Sequence, residues 1–271
     1  MGSGDDVVWL IETGVFPRSA PAVIAALEAR GVAFVPFVDG EPASMAEGRC
    51  VLFWGSLGAA YEQRVAARWR PGAIGDPDRF RCSVYQAELA PLLANADAVF
   101  TTVAALVADA GRVLAPLGSP ARVFVRPDSA LKPFAGRQLA TAALSLAALD
   151  HGFYYDDEEL PIVVSTVKRV GREWRFVVAD GAVVAGGEYG ADRQGRGTVV
   201  PDAARAIAAA VASGAWQAAP LYVVDVGEVA GDMRVMELNP FSGADLYECD
   251  AGAVVAAATA VAVRMHGERL R

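Results

Sequence analysis

The sequence predicts an α/β protein, with an N-terminal βαβ domain followed by an α+β region of paired strands and helices. Three observations carry this. The first third alternates short apolar runs with segments of helical period. The later chain holds two alternating stretches that fold back on themselves, one about Asp180-Gly181 and one about Ala230-Gly231. The chain has 271 residues, 54% hydrophobic and 21% charged, enough for one large or two ordinary domains around a sizeable core.

In order, DVVWLIETG is an apolar strand, and PRSAPAVIAALEARG carries apolar residues at helical spacing with a glycine stop at Gly31. VAFVPFV and RCVLFWGS are the next strands, which makes a βαβ unit and a small parallel sheet. RPGAIGDPDRFR reads as loop, and AELAPLLANA and TTVAALVADA as helices. A domain boundary falls at APLGSP, giving an N-terminal domain over residues 1–118 and a second domain over 119–271. In the latter, ARVFVRPDSALKPFAGRQLA runs from a strand ending at Arg126 through a loop holding Lys132 to Gly136 and a helix. PIVVSTVK is a strand, REWRFVVADGAVVAGGEY a hairpin, and PDAARAIAAAVASG a helix opened by Pro201 and Asp202 and stopped at Gly214. PLYVVDVGEVAGDMRVMELN is a second hairpin, and AGAVVAAATAVAV, too short to cross a bilayer, is a buried helix.

Composition excludes several classes. A formal charge of −8 disfavours nucleic acid and anionic membranes as partners. Three scattered cysteines (Cys50, Cys82, Cys249) and two histidines (His151, His266) give neither a disulfide framework nor a zinc site. MGSGDDVVWLIE lacks the basic start and apolar core of a signal peptide, so a cytoplasmic protein is expected. No GxxxxGK[ST] and no GxGxxG after the first strand occur, which removes P-loop and Rossmann dehydrogenase readings. Ser242 lacks GxSxG context, so a serine hydrolase is not expected.

The chemistry concentrates in DMRVMELNPFSG. Glu237 and Asn239 share a strand face, and Asp225 lies on the preceding strand. Asp225 joins them if the connection has an odd number of residues, or if a β-bulge corrects a two-residue loop. Three oxygen ligands on one face suit magnesium, which draws its remaining ligands from phosphate and water. The alternative is a polar sheet face on which the carboxylates are merely solvated. Arg126 at a strand end, Lys132 in a glycine-bounded loop, and Glu173 and Arg175 on one strand face can hold a polyphosphate, or can be ordinary surface charges.

This ordered set, ending in VVDVGEVAGDMRVMELNPFSG, resembles the ATP-grasp superfamily over roughly residues 80 to 250, and within it the clade named for two arginines and a lysine. The resemblance implies an ATP-grasp fold whose two α+β subdomains clasp ATP behind the βαβ domain. It also implies Mg2+ at Asp225, Glu237 and Asn239, with Arg126, Lys132 and Arg175 as catalytic phosphate-facing cations. It implies an ATP-dependent ligase that joins a small-molecule or peptide carboxylate to an amine through an acyl phosphate, releasing ADP and phosphate; such enzymes are often homodimers. A phosphotransferase, or a nucleotide-binding protein without turnover, stands as the alternative. Where many relatives carry two hinge glutamates, this chain has Ser165 and Thr166. Nucleotide contacts are therefore expected from Arg126, Lys132, Ser165, Val167, Glu173 and Arg175. The Lys132 loop and GEYGADRQGRG are lid candidates, and Ser242 and Tyr247 in PFSGADLYECD are candidate acceptor contacts.

Overall fold

The structure is a computed structural model that describes residues 7–38, 48–66, 68–149, 158–189 and 199–268. Its first sheet is parallel, in the order β2-β1-β3-β4, from β1 (Val7–Glu12), β2 (Ala33–Phe37), β3 (Cys50–Trp54) and β4 (Arg70–Gly72). Helices α1 (Ala20–Ala29) and α2 (Leu57–Ala66) supply the crossovers, as the βαβ reading requires. The central strands read as unbroken apolar runs because both their faces are covered. Val8, Leu10, Val51 and Phe53 pack among Phe37, Ala60 and Trp69, while Val7, Trp9 and Leu52 face the opposite way.

A short helix, α3 (Cys82–Leu89), leads to β5 (Val99–Thr102), α4 (Val103–Ala108) and α5 (Ala110–Leu114). The second sheet is antiparallel, in the order β5-β8-β6-β7, with β6 (Arg122–Pro127), β7 (Arg137–Ala140) and β8 (Pro161–Thr166); α6 (Leu146–Leu149) lies between β7 and β8. Two expectations are corrected here. The segment after Gly136 is strand β7 before any helix forms, because Arg122–Val125 of β6 pair with it. TTVAALVADA begins as β5, whose partner is β8. Residues 99–114 thus pack with the sheet that follows. Val103, Leu106, Leu114, Val123, Val125 and Ile162 form that subdomain's own core.

The third sheet is antiparallel, in the order β10-β9-β11-β12, from β9 (Val170–Ala179), β10 (Ala182–Glu188), β11 (Leu221–Val229) and β12 (Asp232–Pro240). Asp180 and Gly181 turn the first hairpin with φ of 46° and 78°, and Ala230 and Gly231 turn the second with 53° and 92°, the left-handed pair that a two-residue hairpin needs. One face (Trp174, Phe176, Val224, Val226, Val235) is buried with Ala204, Ala208 and Val211 of α7 (Asp202–Ala212).

The other face changes character along its length. Val177, Ala179, Leu221 and Val223 pack against α8 (Ala251–Glu268), whereas Arg175, Asp225 and Glu237 continue the same face into a cleft. Helix α8 also covers β1, with Trp9 Nε1 donating to Thr259 Oγ1 at 3.0 Å, so it is a wedge between the first and third sheets. That accounts for its Ala/Val composition. Val254, Val255 and Val261 are fully buried, each worth roughly 1.5–3 kcal/mol. Among the described residues, no helix is long and apolar enough to cross a membrane.

Candidate active site

The cleft lies between the second and third sheets. On the third, cross-strand register places Arg175, Asp225 and Glu237 in a row on adjacent strands. The parity problem of the Ala230-Gly231 loop is solved by a β-bulge. Asp225 pairs with Glu237 but Val226 pairs with Val235, so Met236 is the extra residue and Glu237 returns to the face of Asp225. Gly227 makes this fit, because a Cβ there would stand 2.9 Å from the Met236 side chain. Asn239 completes the group, its Nδ2 donating to Glu237 Oε1 at 2.9 Å and to Asp225 Oδ2 at 3.2 Å.

The second sheet contributes the facing cations. Arg126, at the end of β6, meets Glu237 Oε2 at 2.9 Å, and Lys132 Nζ donates to Glu237 Oε1 at 2.7 Å. Lys132 sits in a tight turn with φ 47°, its N–H on the Ser129 carbonyl. The root of that turn is Asp128, buried against α3, where it accepts from Ser83 N (3.0 Å), Ser83 Oγ (2.5 Å) and Arg81 Nη2 (3.3 Å).

Each carboxylate is already neutralised by the chain. Arg175 grips Asp225 with Nε and Nη2, both at 2.7 Å, and donates from Nη1 to the Asp245 carbonyl. Its guanidinium carbon lies 5.1 Å from the Tyr189 ring centre and 4.9 Å from that of Tyr247. Burial opposes ionisation of Glu237, but Arg126 and then Lys132 overcome it and hold the carboxyl well below the usual carboxylate range. Burial pushes Asp225 upward, and Arg175 offsets only part of that. Glu173 is raised, first by burial and then by Asp225 and Glu237.

A cavity of about 440 Å³ occupies the cleft, within the roughly 300–1,000 Å³ usual for small ligands. Arg126, Lys132, Asp225 and Glu237 line one part of it, and Phe124, Phe134, Val170 and Met236 supply apolar wall, with Glu173 and Asn95 also exposed to it. Gly136 allows this closeness, since a Cβ there would stand 2.5 Å from the Phe124 ring. A larger groove of about 680 Å³ lies at the Asp180-Gly181 turn beside Arg79 and Met265, and none of the candidate metal, phosphate or nucleotide residues lines it.

Arg126, Lys132, Glu173, Asp225 and Glu237 therefore converge on one cavity, while Arg175 and Asn239 hold its floor. Ser165 does not reach the cavity: its hydroxyl is fully buried and donates to Asn95 Oδ1 at 3.2 Å. Val167 is half-buried just after β8. Ser242 is a joint between domains, because its Oγ accepts from Ile74 N and its carbonyl from Gly55 N. Trp54 Nε1 donates to the Ala244 carbonyl and Ser19 Oγ to Asp245 in the same joint. All three cysteines are buried, and burial pushes the Cys249 thiol up to about 12, against a nucleophilic role. His151 and residues 190–198, which make up most of GEYGADRQGRG, lie outside the described residues. Sequence reasoning missed Asn95, inside a segment that reads as helix, and Tyr189; it named Tyr247 as a candidate acceptor contact but not its place beside Tyr189 on the Arg175 guanidinium.

Gly187 lies opposite Arg175 on β10, and a Cβ there would stand 2.5 Å from the Cys249 nitrogen. Gly187→Ala is expected to lift residues 245–249 off the sheet and cost roughly 1–3 kcal/mol in a urea melt. It should lower activity as well, since the Asp245 carbonyl that steadies Arg175 moves with that segment.

Comparison with known proteins places the fold. The D-cycloserine synthetase DcsG superimposes with a TM-score of 0.64 at 18% identity, over 96% of this chain and 99% of that one. The D-alanine–D-alanine ligase from Bacillus anthracis gives 0.60 at 13%, over 98% and 99%. The ATP-grasp ligase PsnB, complexed with its minimal precursor, gives 0.55 at 14%, over 96% and 100%. At these identities the likeness shows the fold, which is ATP-grasp. A search of curated protein sequences found no match. The model of an ATP-grasp domain family, the third of the clade named for two arginines and a lysine, matches residues 60–258, so the chain belongs to that clade of the ATP-grasp superfamily.

Proposed function

We propose that the protein is an ATP-dependent carboxylate–amine ligase. In this reading the γ-phosphoryl group of ATP passes to a substrate carboxylate. An amine then attacks the acyl phosphate, the C–O bond to phosphate breaks, and an amide, ADP and phosphate result. The observation that carries it is the cluster in which Arg126 and Lys132 from one sheet meet Asp225, Glu237 and Asn239 from the other across one cavity. Phosphoryl transfer needs positioning and charge neutralisation more than a protein nucleophile, and the buried cysteines, with the Cys82 and Cys249 thiols raised by burial, fit that.

The donor set fits magnesium. Two carboxylates and an amide oxygen are hard ligands, and no cluster of three or more acidic, His or Cys residues among the described residues makes a complete cage, so ligand oxygens must supply the rest. Magnesium, when bound, would supply neutralisation of phosphate charge. Asp225, Glu237 and Asn239 would hold it. Arg126 and Lys132, released from Glu237, would then face the phosphates, and Glu173 would stand near the ribose. Each site cation has a carboxylate partner, and Arg126 and Lys132 would exchange theirs for phosphate. The acceptor is proposed to be an amino acid, a peptide or a related amine; the D-alanine–D-alanine ligase is named for an amino acid, and PsnB was solved with precursor peptide PsnA2.

The test is an ATP-consumption screen against pooled amino acids and peptides, with mass spectrometry of products. An amide product with stoichiometric ADP supports the ligase. A phosphorylated hydroxyl product would turn the reading to a phosphotransferase. Serine and threonine at the hinge favour a second reading, nucleotide binding without turnover, and ATP binding with no ADP from any pool would establish it.

A further inference from the structure

We infer that Asn95 reads the nucleobase and that Ser165 positions it, making the site selective for adenine over guanine. This rests on the nucleotide-binding reading above and deepens it.

Asn95 stands where both sheets meet. Leu93 bridges to Val235 of β12, and Ala94 N–H donates to the Val235 carbonyl at 2.9 Å. On the other side Asp97 accepts from Thr166 N (3.2 Å) and Thr166 Oγ1 (2.6 Å), and Lys168 Nζ closes on both its oxygens at 2.8 Å. Asp97 is accordingly lowered: burial works against its charge, and the hydrogen bonds from Lys168 and Thr166 outweigh that. Residues 93–97 are therefore strapped to the end of β8 and to β12 together, at the hinge that lacks the paired glutamates. The strap delivers a single polar side chain to the cavity, Asn95, next to the apolar wall of Phe124, Val170 and Met236.

The Asn95 amide is half engaged. Its Oδ1 accepts from the fully buried Ser165 hydroxyl at 3.2 Å, a hydroxyl that also lies 3.4 Å from the Thr166 carbonyl, and this contact anchors the amide at the cavity edge. Its Nδ2 has no partner among the described residues, and a second Oδ1 lone pair remains open. A donor beside an acceptor on a rigid amide matches the adenine edge, where an amino donor adjoins a ring-nitrogen acceptor. Guanine presents a carbonyl oxygen where adenine has the amino group, so Oδ1 would face another acceptor. The apolar wall receives the flat base, and the amide selects which one. The hydroxyl of Ser165 is thereby a positioning group that never touches the nucleotide.

The experiment is calorimetric measurement of Kd for ATP and for GTP, both with Mg2+, on the full chain and on Asn95→Ala, Asn95→Asp and Ser165→Ala. The wild type should prefer ATP. Asn95→Ala should lower the ATP-over-GTP ratio by roughly 5- to 100-fold, the range that one bidentate amide–base pair confers. Ser165→Ala should lower it less. Asn95→Asp should shift preference toward GTP, because a carboxylate accepts from the guanine N–H groups. If Asn95→Ala does not fold, Ser165→Ala, which keeps the amide but frees it, carries the same test. Unchanged ATP-over-GTP ratios, or an equal loss for both nucleotides, would overturn the inference and leave the ligase reading standing. A wild-type protein that binds neither nucleotide overturns both.

Discussion

Glu237→Gln is expected to abolish ADP formation, by about 10²–10³-fold or more, the scale on which a single preorganised charge matters to a transition state. It should also remove the gain in ATP affinity that Mg2+ brings. Its effect without Mg2+ runs the other way. In the wild type Arg126 and Lys132 are held by Glu237 at 2.9 and 2.7 Å, so ATP must compete with a carboxylate for both cations. The glutamine variant leaves them uncompensated, and ATP affinity without metal is retained or increased. The folded protein bears a cost, because Arg126 stays buried without its counter-charge. That cost falls near or below the lower end of the roughly 3–5 kcal/mol for breaking a buried pair, since the Lys132 side chain is 33% exposed and is partly solvated. Nucleotide titrations with Mg2+ and with EDTA, beside ADP release, separate these effects. A variant that keeps both wild-type turnover and the Mg2+-dependent gain would remove Glu237 from the metal position.

The parts of the site legible in the sequence were those that depend on a period of two. Glu237 and Asn239 had to share a face, and so did Glu173 and Arg175. The Asp180-Gly181 turn declared itself by residues that tolerate positive φ. The relation of Asp225 to Glu237 was not legible, because it turns on a bulge. Met236 looks like any strand residue, and the feature that makes room for it, Gly227, lies on another strand. Strand β5 was hidden for a related reason. Its apolar VFTT runs directly into the helix-period VAALVADA, and the partner that makes it a strand lies some 60 residues on, in β8. Asn95 was hidden because its role comes from bridges to β8 and β12, neither of which a local pattern reports. The charges were visible one at a time, but their pairing follows from the register between β9 and β11.

That register makes Arg175 the residue whose loss should cost the fold most. Its side chain is 5% exposed, bidentate on an Asp225 that is 2% exposed, bonded to the Asp245 carbonyl, and flanked by two tyrosine rings. Arg175→Met leaves Asp225 buried without a cation, a loss on the order of 3–5 kcal/mol in denaturant melts. Arg175→Met with Asp225→Asn should recover a large part of that loss, because the uncompensated charge is gone and only the stacking and the Asp245 bond stay broken. Activity should not return with stability, because the aspartate at the proposed metal position is gone. The pH dependence follows from the sign of the Asp225 shift. Burial already raises this carboxyl in the wild type, and removing Arg175 raises it further. A carboxyl whose folded pKa lies above its unfolded value destabilises the fold increasingly as pH rises between the two, and contributes nothing below the unfolded value of about 3.9. The gap between Arg175→Met and the wild type should therefore narrow as pH falls toward 4, while the double variant shows no such narrowing. If the two single losses simply add in the double variant, Arg175 and Asp225 are not coupled, and Arg175 is not held back from phosphate by its aspartate.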